Sequence, residues 1–240
     1  MSSNRPNSEI EIQRSYYRDT AQVYDQLHVH EKDVHYFALT FMAGMIEFLD
    51  CESVLDVGAG TGRTVAYLNE KYPSVTVKGV EPVAELRQVG YSKGLSPSQL
   101  MEGDALSLAF DDNSFDIICC FGVLHHIKIP RLAIQEMLRV ARKAIFISDS
   151  NNFGQGSLLA RTLKQGLNLL GLWQIADFIK TKGKGYTISE GDGLAYSYSI
   201  FNDFNFIRKN TKSVHLLNTS NSTHSDLYKT ADNLALLAIK

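Results

Sequence analysis

A chain of 240 residues corresponds to between one and two domains at roughly 150 residues each. Its 24 Lys and Arg against 26 Asp and Glu leave a net charge of −2, which argues against a dedicated nucleic-acid or anionic-membrane binder, because such proteins carry a basic excess. With 44% hydrophobic and 21% charged residues the composition is that of a soluble globular protein, large enough to bury roughly 70–75% of its unfolded surface without disulfides or metals.

In chain order, Met1–Gln13 is polar and lacks the apolar core of a signal peptide. One helical pattern runs over Glu9–His30, with Ile12, Tyr16, Val23 and Leu27 at helical spacing. A second, Asp33–Leu49, carries a stripe of Phe37, Phe41, Met45 and Phe48, with Asp33 as its N-cap. The pattern then changes to short apolar runs alternating with amphipathic stretches. Strands are expected at Ser53–Val57, Thr76–Val80, Leu100–Met101, Phe115–Phe121 and Ala144–Ser148. Helices are expected from the glycine-rich turn through Tyr72, over Ala84–Ser92, and over Pro130–Arg142, the last opened by its proline. Such alternation implies right-handed crossovers and a parallel sheet covered on both faces. Ser157–Lys180 reads as a long helical stretch ending in Lys182-Gly183-Lys184-Gly185, whose lysines read as a solvated loop, and Asn218–Ser225 reads as another loop. Val214–Asn218 and Leu234–Lys240 read as strands that close the sheet with an antiparallel edge.

The expected fold is a Rossmann-like, doubly wound α/β domain. It has a mostly parallel seven-stranded sheet, an antiparallel edge strand, and a helical insertion after the fifth strand. Residues 1–49 supply N-terminal helices, 50–150 the ligand-binding core, and 151–240 the insertion and closing strands. Cys51, Cys119 and Cys120 have neither a disulfide framework nor zinc spacing, and no metal is expected. The longest apolar stretches, such as Ile117–Leu124, fall short of the roughly 18–20 residues of a membrane span, and a cytoplasmic location is expected.

The chemistry concentrates in Val54-Leu55-Asp56-Val57-Gly58-Ala59-Gly60-Thr61-Gly62-Arg63, where a strand runs through alternate glycines into a helix. Glycines permit positive φ and close backbone approach, and a helix start offers free N–H groups to an anion. On its own this loop leaves open a dinucleotide site, another nucleotide-like ligand, or a plain tight turn. Three further features narrow it. Glu81 ends the second strand, where a carboxylate accepts ribose hydroxyls. Gly103-Asp104-Ala105 follows the third strand, and Phe121-Gly122-Val123-Leu124-His125-His126 follows the fourth.

Together these segments resemble the class I S-adenosylmethionine (SAM)-dependent methyltransferases, in particular the small-molecule branch with ubiquinone- and menaquinone-type sequences. The resemblance covers about residues 50–150, and Tyr16–Asp25 resembles the helix that lies over the cofactor in that branch, making the N-terminal helices a lid. It implies that Asp56 orients the loop and that Gly58, Ala59 and Gly60 carry the methionine portion. Glu81 would hold the ribose, Pro82 and Val83 would pack on adenine, and Asp104 with Ala105 would read its amine. Phe121 and Gly122 would face the amino-acid portion, and Tyr17 and Tyr24 the sulfonium or the substrate.

His126 is the candidate general base, and His125, Asn151, Tyr196 and Tyr198 are candidate substrate contacts. Against each stands ordinary packing or solvation. The implied reaction is methyl transfer from SAM to an O, N or C nucleophile of a small molecule. Alternatives are a methyltransferase acting on a sugar or protein, a non-catalytic SAM-binding regulator, and a NAD(P)-dependent oxidoreductase. The last is disfavoured because Gly62 comes one residue too early for the dinucleotide spacing. A small-molecule acceptor is the expected partner, without nucleic acid, and the oligomeric state is left open.

Overall fold

The computed structural model describes residues 8–30, 32–220 and 226–240. The first seven residues and most of the Asn218–Ser225 loop lie outside the described residues. The chain opens with α1 (Ser8–Thr20), a 3₁₀ turn, α2 (Tyr24–His28) and α3 (Val34–Phe48). The single helix expected over 9–30 is interrupted after Thr20, whose hydroxyl bonds back to the Tyr16 carbonyl at 2.8 Å. Asp33 caps α3 as expected, accepting from Tyr36 N at 2.6 Å.

The alternating core follows: β1 (Ser53–Val57), α4 (Arg63–Lys71), β2 (Thr76–Val80), α5 (Ala84–Ser92), β3 (Leu100–Met101), β4 (Phe115–Phe121), α6 (Pro130–Val140) and β5 (Ala141–Ser150). Then come α7 (Leu158–Leu169), α8 (Trp173–Lys180), a hairpin of β6 (Tyr186–Ser189) and β7 (Gly193–Tyr196), α9 (Phe201–Lys209), β8 (Ser213–Asn218), α10 (Leu227–Thr230) and β9 (Asn233–Ile239). The 157–180 stretch is two helices, because Gly171 (φ 71°) turns the chain and Leu172 N caps the Leu167 carbonyl. The β6–β7 hairpin and α9 have no counterpart in the sequence reading.

The seven-stranded sheet has the order β3-β2-β1-β4-β5-β9-β8. Strands β1 to β5 are mutually parallel, and β9 runs antiparallel to both β5 and β8. Both faces are covered, which is why its central strands are apolar throughout rather than alternating. One face packs Leu55, Ile118, Cys120 and Ile145 against Ile134, Met137 and Ile207. The other packs Val54, Ile117, Cys119 and Phe146 against Leu39, Met42, Val65 and Leu68. The two adjacent cysteines thus go to opposite faces, and burial holds both thiols well above their ordinary pKa. Among the described residues no helix is long and apolar enough to cross a membrane. The strand order reverses between β1 and β4, which opens a crevice at the carboxyl ends of the strands.

Candidate functional site

That crevice is a cavity of about 300 Å³, within the range of small-molecule sites. Its floor is the loop from β1 to α4. Gly58, Gly60 and Gly62 have φ of 74°, 56° and 85°, and Gly58 N and Ala59 N both bond to the Val80 carbonyl. A Cβ on Gly60 would lie 2.9 Å from the Tyr24 hydroxyl, and one on Gly58 2.5 Å from Val123 Cγ2, so only glycine keeps this floor clear.

Glu81, buried at the end of β2, accepts from Gly60 N at 3.0 Å and Val83 N at 2.9 Å. Burial pushes its carboxyl up to about 7, although both N–H bonds and Arg87 pull the other way. Asp56 lies beneath the loop, and burial raises it to about 6. Asp104 lines the cavity, but its carboxylate already accepts from Arg14 Nη2 and Leu106 N, each at 2.9 Å.

The roof comes from α1 and α2. Tyr17 and Tyr24 stand edge to face with centroids 5.8 Å apart. The Tyr17 hydroxyl lies 2.8 Å from His126 Nε2. His126 Nδ1 lies 2.7 Å from the Leu194 carbonyl and 3.1 Å from Gln13 Nε2, and its Nε2 has Asp192 Oδ1 at 3.5 Å besides the Tyr17 hydroxyl, so both ring nitrogens are engaged. Burial and the neighbouring His125 lower the His126 pKa and keep the ring neutral.

His125 behaves oppositely. Its Nδ1 is 2.7 Å from Asp149 Oδ1 and its Nε2 3.2 Å from Asp192 Oδ2, so both nitrogens face carboxylates. Burial opposes the charge, but Asp149 and Asp192 together hold the imidazolium up to about 10. His125, His126 and Asp192 are the grouping of metal-ligand type among the described residues, and a protonated His125 already satisfies both carboxylates.

The structure brings Tyr17, Tyr24, Gly58, Gly60, Glu81, Pro82, Asp104, Ala105, Phe121, Gly122, His126 and Tyr196 to this one cavity. Asp56, Ala59 and His125 line a smaller adjoining cavity of about 100 Å³, with Thr61, Arg63 and Asp192. Two expected substrate contacts belong elsewhere. Asn151 is fully buried and donates through Nδ2 to the carbonyls of Leu227, Tyr228 and Ala231, so its amide ties the chain together. Tyr198 sits in the sheet core at 3% exposure and reaches only a neighbouring cavity of about 480 Å³.

The sequence reading missed Gln13, Arg14 and Asp192. Gln13 Oε1 accepts from Leu194 N, locking α1 to the hairpin that carries Asp192. The Glu190-Gly191-Asp192-Gly193 turn, flanked by Tyr186 and Ile188 and by Leu194 and Tyr196 at alternate positions, is the pattern that would have revealed the hairpin.

Residues 55–147 match the family model described as "Methyltransferase domain". The uncharacterized methyltransferase YcgJ of Bacillus subtilis is 37% identical over 106 residues, covering 41% of this chain and 41% of that protein. The demethylmenaquinone methyltransferase of Roseiflexus castenholzii is 36% identical over 93 residues, covering 38% of this chain and 39% of its own. These alignments span about two fifths of the curated relatives' lengths. Among solved structures, magnesium protoporphyrin IX methyltransferase (ChlM) from Synechocystis with bound SAH superimposes with a TM-score of 0.64 at 16% identity, covering 97% of this chain and 100% of that one. Residues 55–147 therefore resemble a methyltransferase domain, with demethylmenaquinone methyltransferases among the proteins similar over this segment, and the whole chain shares the fold of ChlM.

Proposed function

We propose that the protein binds SAM and transfers its methyl group to a nucleophile on a small molecule. The observation that carries this reading is the single cavity that joins a glycine floor, the buried Glu81 carboxylate and an aromatic roof. These residues fit the cofactor: the loop has no room for a side chain, and Glu81 offers lone pairs beyond its two backbone bonds. When bound, SAM supplies a methyl group on a positively charged sulfur.

Glu81 accepts the ribose hydroxyls, and Pro82 and Val83 pack on adenine. Asp104, held in place by Arg14, reads the adenine amine together with the Ala105 backbone. Gly58, Ala59 and Gly60 carry the methionine portion, Asp56 orients the loop, and Phe121 and Gly122 face the amino group. Tyr17 and Tyr24 exclude water and offer ring faces to the cation. Alignment of the reactants in this closed space supplies much of the rate. His126, its ring neutral, takes the acceptor's proton through Nε2 once the acceptor's hydroxyl replaces that of Tyr17 there, where the acceptor is a poorly acidic hydroxyl. His125 acts as a positioning residue, its imidazolium tying Asp192 and the β6–β7 hairpin to β5. The acceptor enters past Ile127, Ile129, Leu132 and Tyr196, which line the same cavity and favour a catalytic over a purely regulatory role.

The test is calorimetric titration of the wild type and Glu81→Ala with SAM and, separately, NADH. Micromolar SAM binding, weakened at least about tenfold by the loss of a buried charged acceptor, is the expected outcome. Indifference to SAM, or a preference for NADH, sinks the reading. With an acceptor in hand, His126→Ala should lower kcat by about 10²–10⁴-fold, and a loss under about threefold removes His126 as base.

A further inference from the structure

Helix α7 presents its polar side inward. Lys164 Nζ donates to the carbonyls of Asn152 and Gln155, Gln165 Nε2 to those of Phe153 and Lys229, and Asn168 Nδ2 to the Tyr228 hydroxyl. Each of these contacts joins the helix to the body of the molecule through its hydrophilic face. No side chain of α7 or α8 is fully buried, and apart from the half-buried Leu167 and Trp173, the latter edge-on to Phe153, the large apolar groups are exposed. Leu159 is 81% exposed and Leu169 88%, and Leu163, Leu170, Ile175 and Ile179 are exposed as well. A surface helix normally does the reverse, and exposed apolar area of this extent marks an interaction site.

The same segment is basic. Residues 155–185 carry Arg161, Lys164, Lys180, Lys182 and Lys184 against one acid, Asp177, a net charge of +4 in a chain whose total is −2. Asp177 is itself turned inward, its carboxylate accepting from Ser197 Oγ at 2.5 Å and lying 3.9 Å from Lys180 Nζ, which leaves Lys182 and Lys184 as the exposed lysines of the segment without an acidic partner among the described residues. Lys180, Lys182 and Lys184 are exposed beside the apolar side chains at the end of α8. Amphipathic helices with Leu, Ile and Phe on one side and lysines beside them lie in the interface of anionic bilayers, where burial of apolar groups and attraction to lipid phosphates add.

We propose that the α7–α8 hairpin docks on an anionic phospholipid surface. The leucines and isoleucines enter the headgroup–acyl boundary, while Lys180, Lys182 and Lys184 contact lipid phosphates. A second copy of this chain is the poorer occupant, because pairing the hairpin with itself sets +4 against +4. The docked hairpin stands next to the mouth of the proposed methyl-transfer site. Asn168, Trp173, Gln174 and Asp177 line the 480 Å³ cavity, which shares Ile127, Lys128 and Tyr196 with the main one. Docking itself does not rest on the methyltransferase reading.

The experiment is co-sedimentation of the full chain with vesicles of phosphatidylcholine alone and of phosphatidylcholine with about one-third phosphatidylglycerol. The expected result is binding at least about tenfold stronger to the anionic vesicles. A triple variant, Leu159→Gln, Leu163→Gln and Leu170→Gln, should lose about tenfold or more of that binding, and Lys182→Glu with Lys184→Glu should lose the preference for anionic lipid. Both variants should keep the wild-type melting temperature and SAM affinity, which separates loss of docking from loss of fold or of the site. Failure to bind either vesicle overturns the proposal, as does binding unchanged by both variants. So does a concentration-dependent dimer, seen by light scattering and abolished by the leucine variant, in a protein that ignores vesicles.

Discussion

Glu81 accepts two backbone N–H bonds and is still pushed up to about 7, because its surroundings remove it from water. A carboxyl raised in the folded state costs stability as pH climbs from the unfolded value, about 4.3, to about 7, since the folded chain must then give up a proton it holds more tightly. The same ionisation governs ligand capture, for only the carboxylate accepts from both ribose hydroxyls. At pH 6 about a tenth of the protein is competent, so SAM should bind about tenfold more weakly at pH 6 than at pH 8, levelling off above 7. Glu81→Gln should bind more weakly than wild type and flatten that profile in the same calorimetric titration. An unchanged pH profile would remove Glu81 from the ribose site. The glycines, Glu81 and His126 were legible in the sequence because each sits at a strand end fixed by local pattern. Asp192, Arg14 and Gln13 were not, because their partners lie 67, 90 and 181 residues away and are chosen by the fold.

Among the elements, the junction after β5 shows how a residue placed correctly along the chain acquires a different task. Asn151 follows β5 as expected, yet it turns away from the cavity. Its Oδ1 accepts from Phe153 N and Ser199 Oγ, while its Nδ2 holds the end of α10. Removing it strands several buried polar groups at about 1–3 kcal/mol each, though part of this is recovered by relaxation. Asn151→Ala should therefore lower thermal stability by several degrees or more in a calorimetric melt while leaving SAM affinity of the folded fraction within about twofold. A normal melting temperature with a selective loss of acceptor affinity would return Asn151 to the substrate site. The elements missed by sequence were those whose patterns are short or mixed. The β6–β7 strands have four residues each and a charged, glycine-rich turn, and α9 (Phe201–Lys209) buries only Asp203 and Ile207. The central strands were legible because burial on both faces leaves them apolar throughout.

At the scale of the whole molecule, a near-neutral total charge conceals a division. The 155–185 segment is basic by four charges, so the remainder is acidic by six. A net charge of −2 averages over that division, so an overall acidic chain still carries a basic face suited to an anionic surface. Stability is divided as well. The sheet has two apolar cores, whereas α1 and α2 bury only Gln13 among their described side chains and are joined to the body by a small cluster of Tyr17 and Tyr24 with Val83 and Leu86 and by polar links such as Arg14–Asp104, Tyr17–His126 and Arg18–Glu85. Such a segment opens at lower free energy than the strands beneath it. Because α1 and α2 roof the cavity, a ligand filling it adds contacts to them and few to the sheet. In hydrogen-exchange measurements, SAM should slow exchange over residues 8–28 by about tenfold or more and leave β4, β5 and β9 unchanged. Equal slowing everywhere would mean that the N-terminal helices open only with the whole fold, and no slowing over 8–28 would mean that they do not close over the cofactor. The first result would replace a separately opening roof with one cooperative unit; the second would leave Tyr17 and Tyr24 without their proposed role.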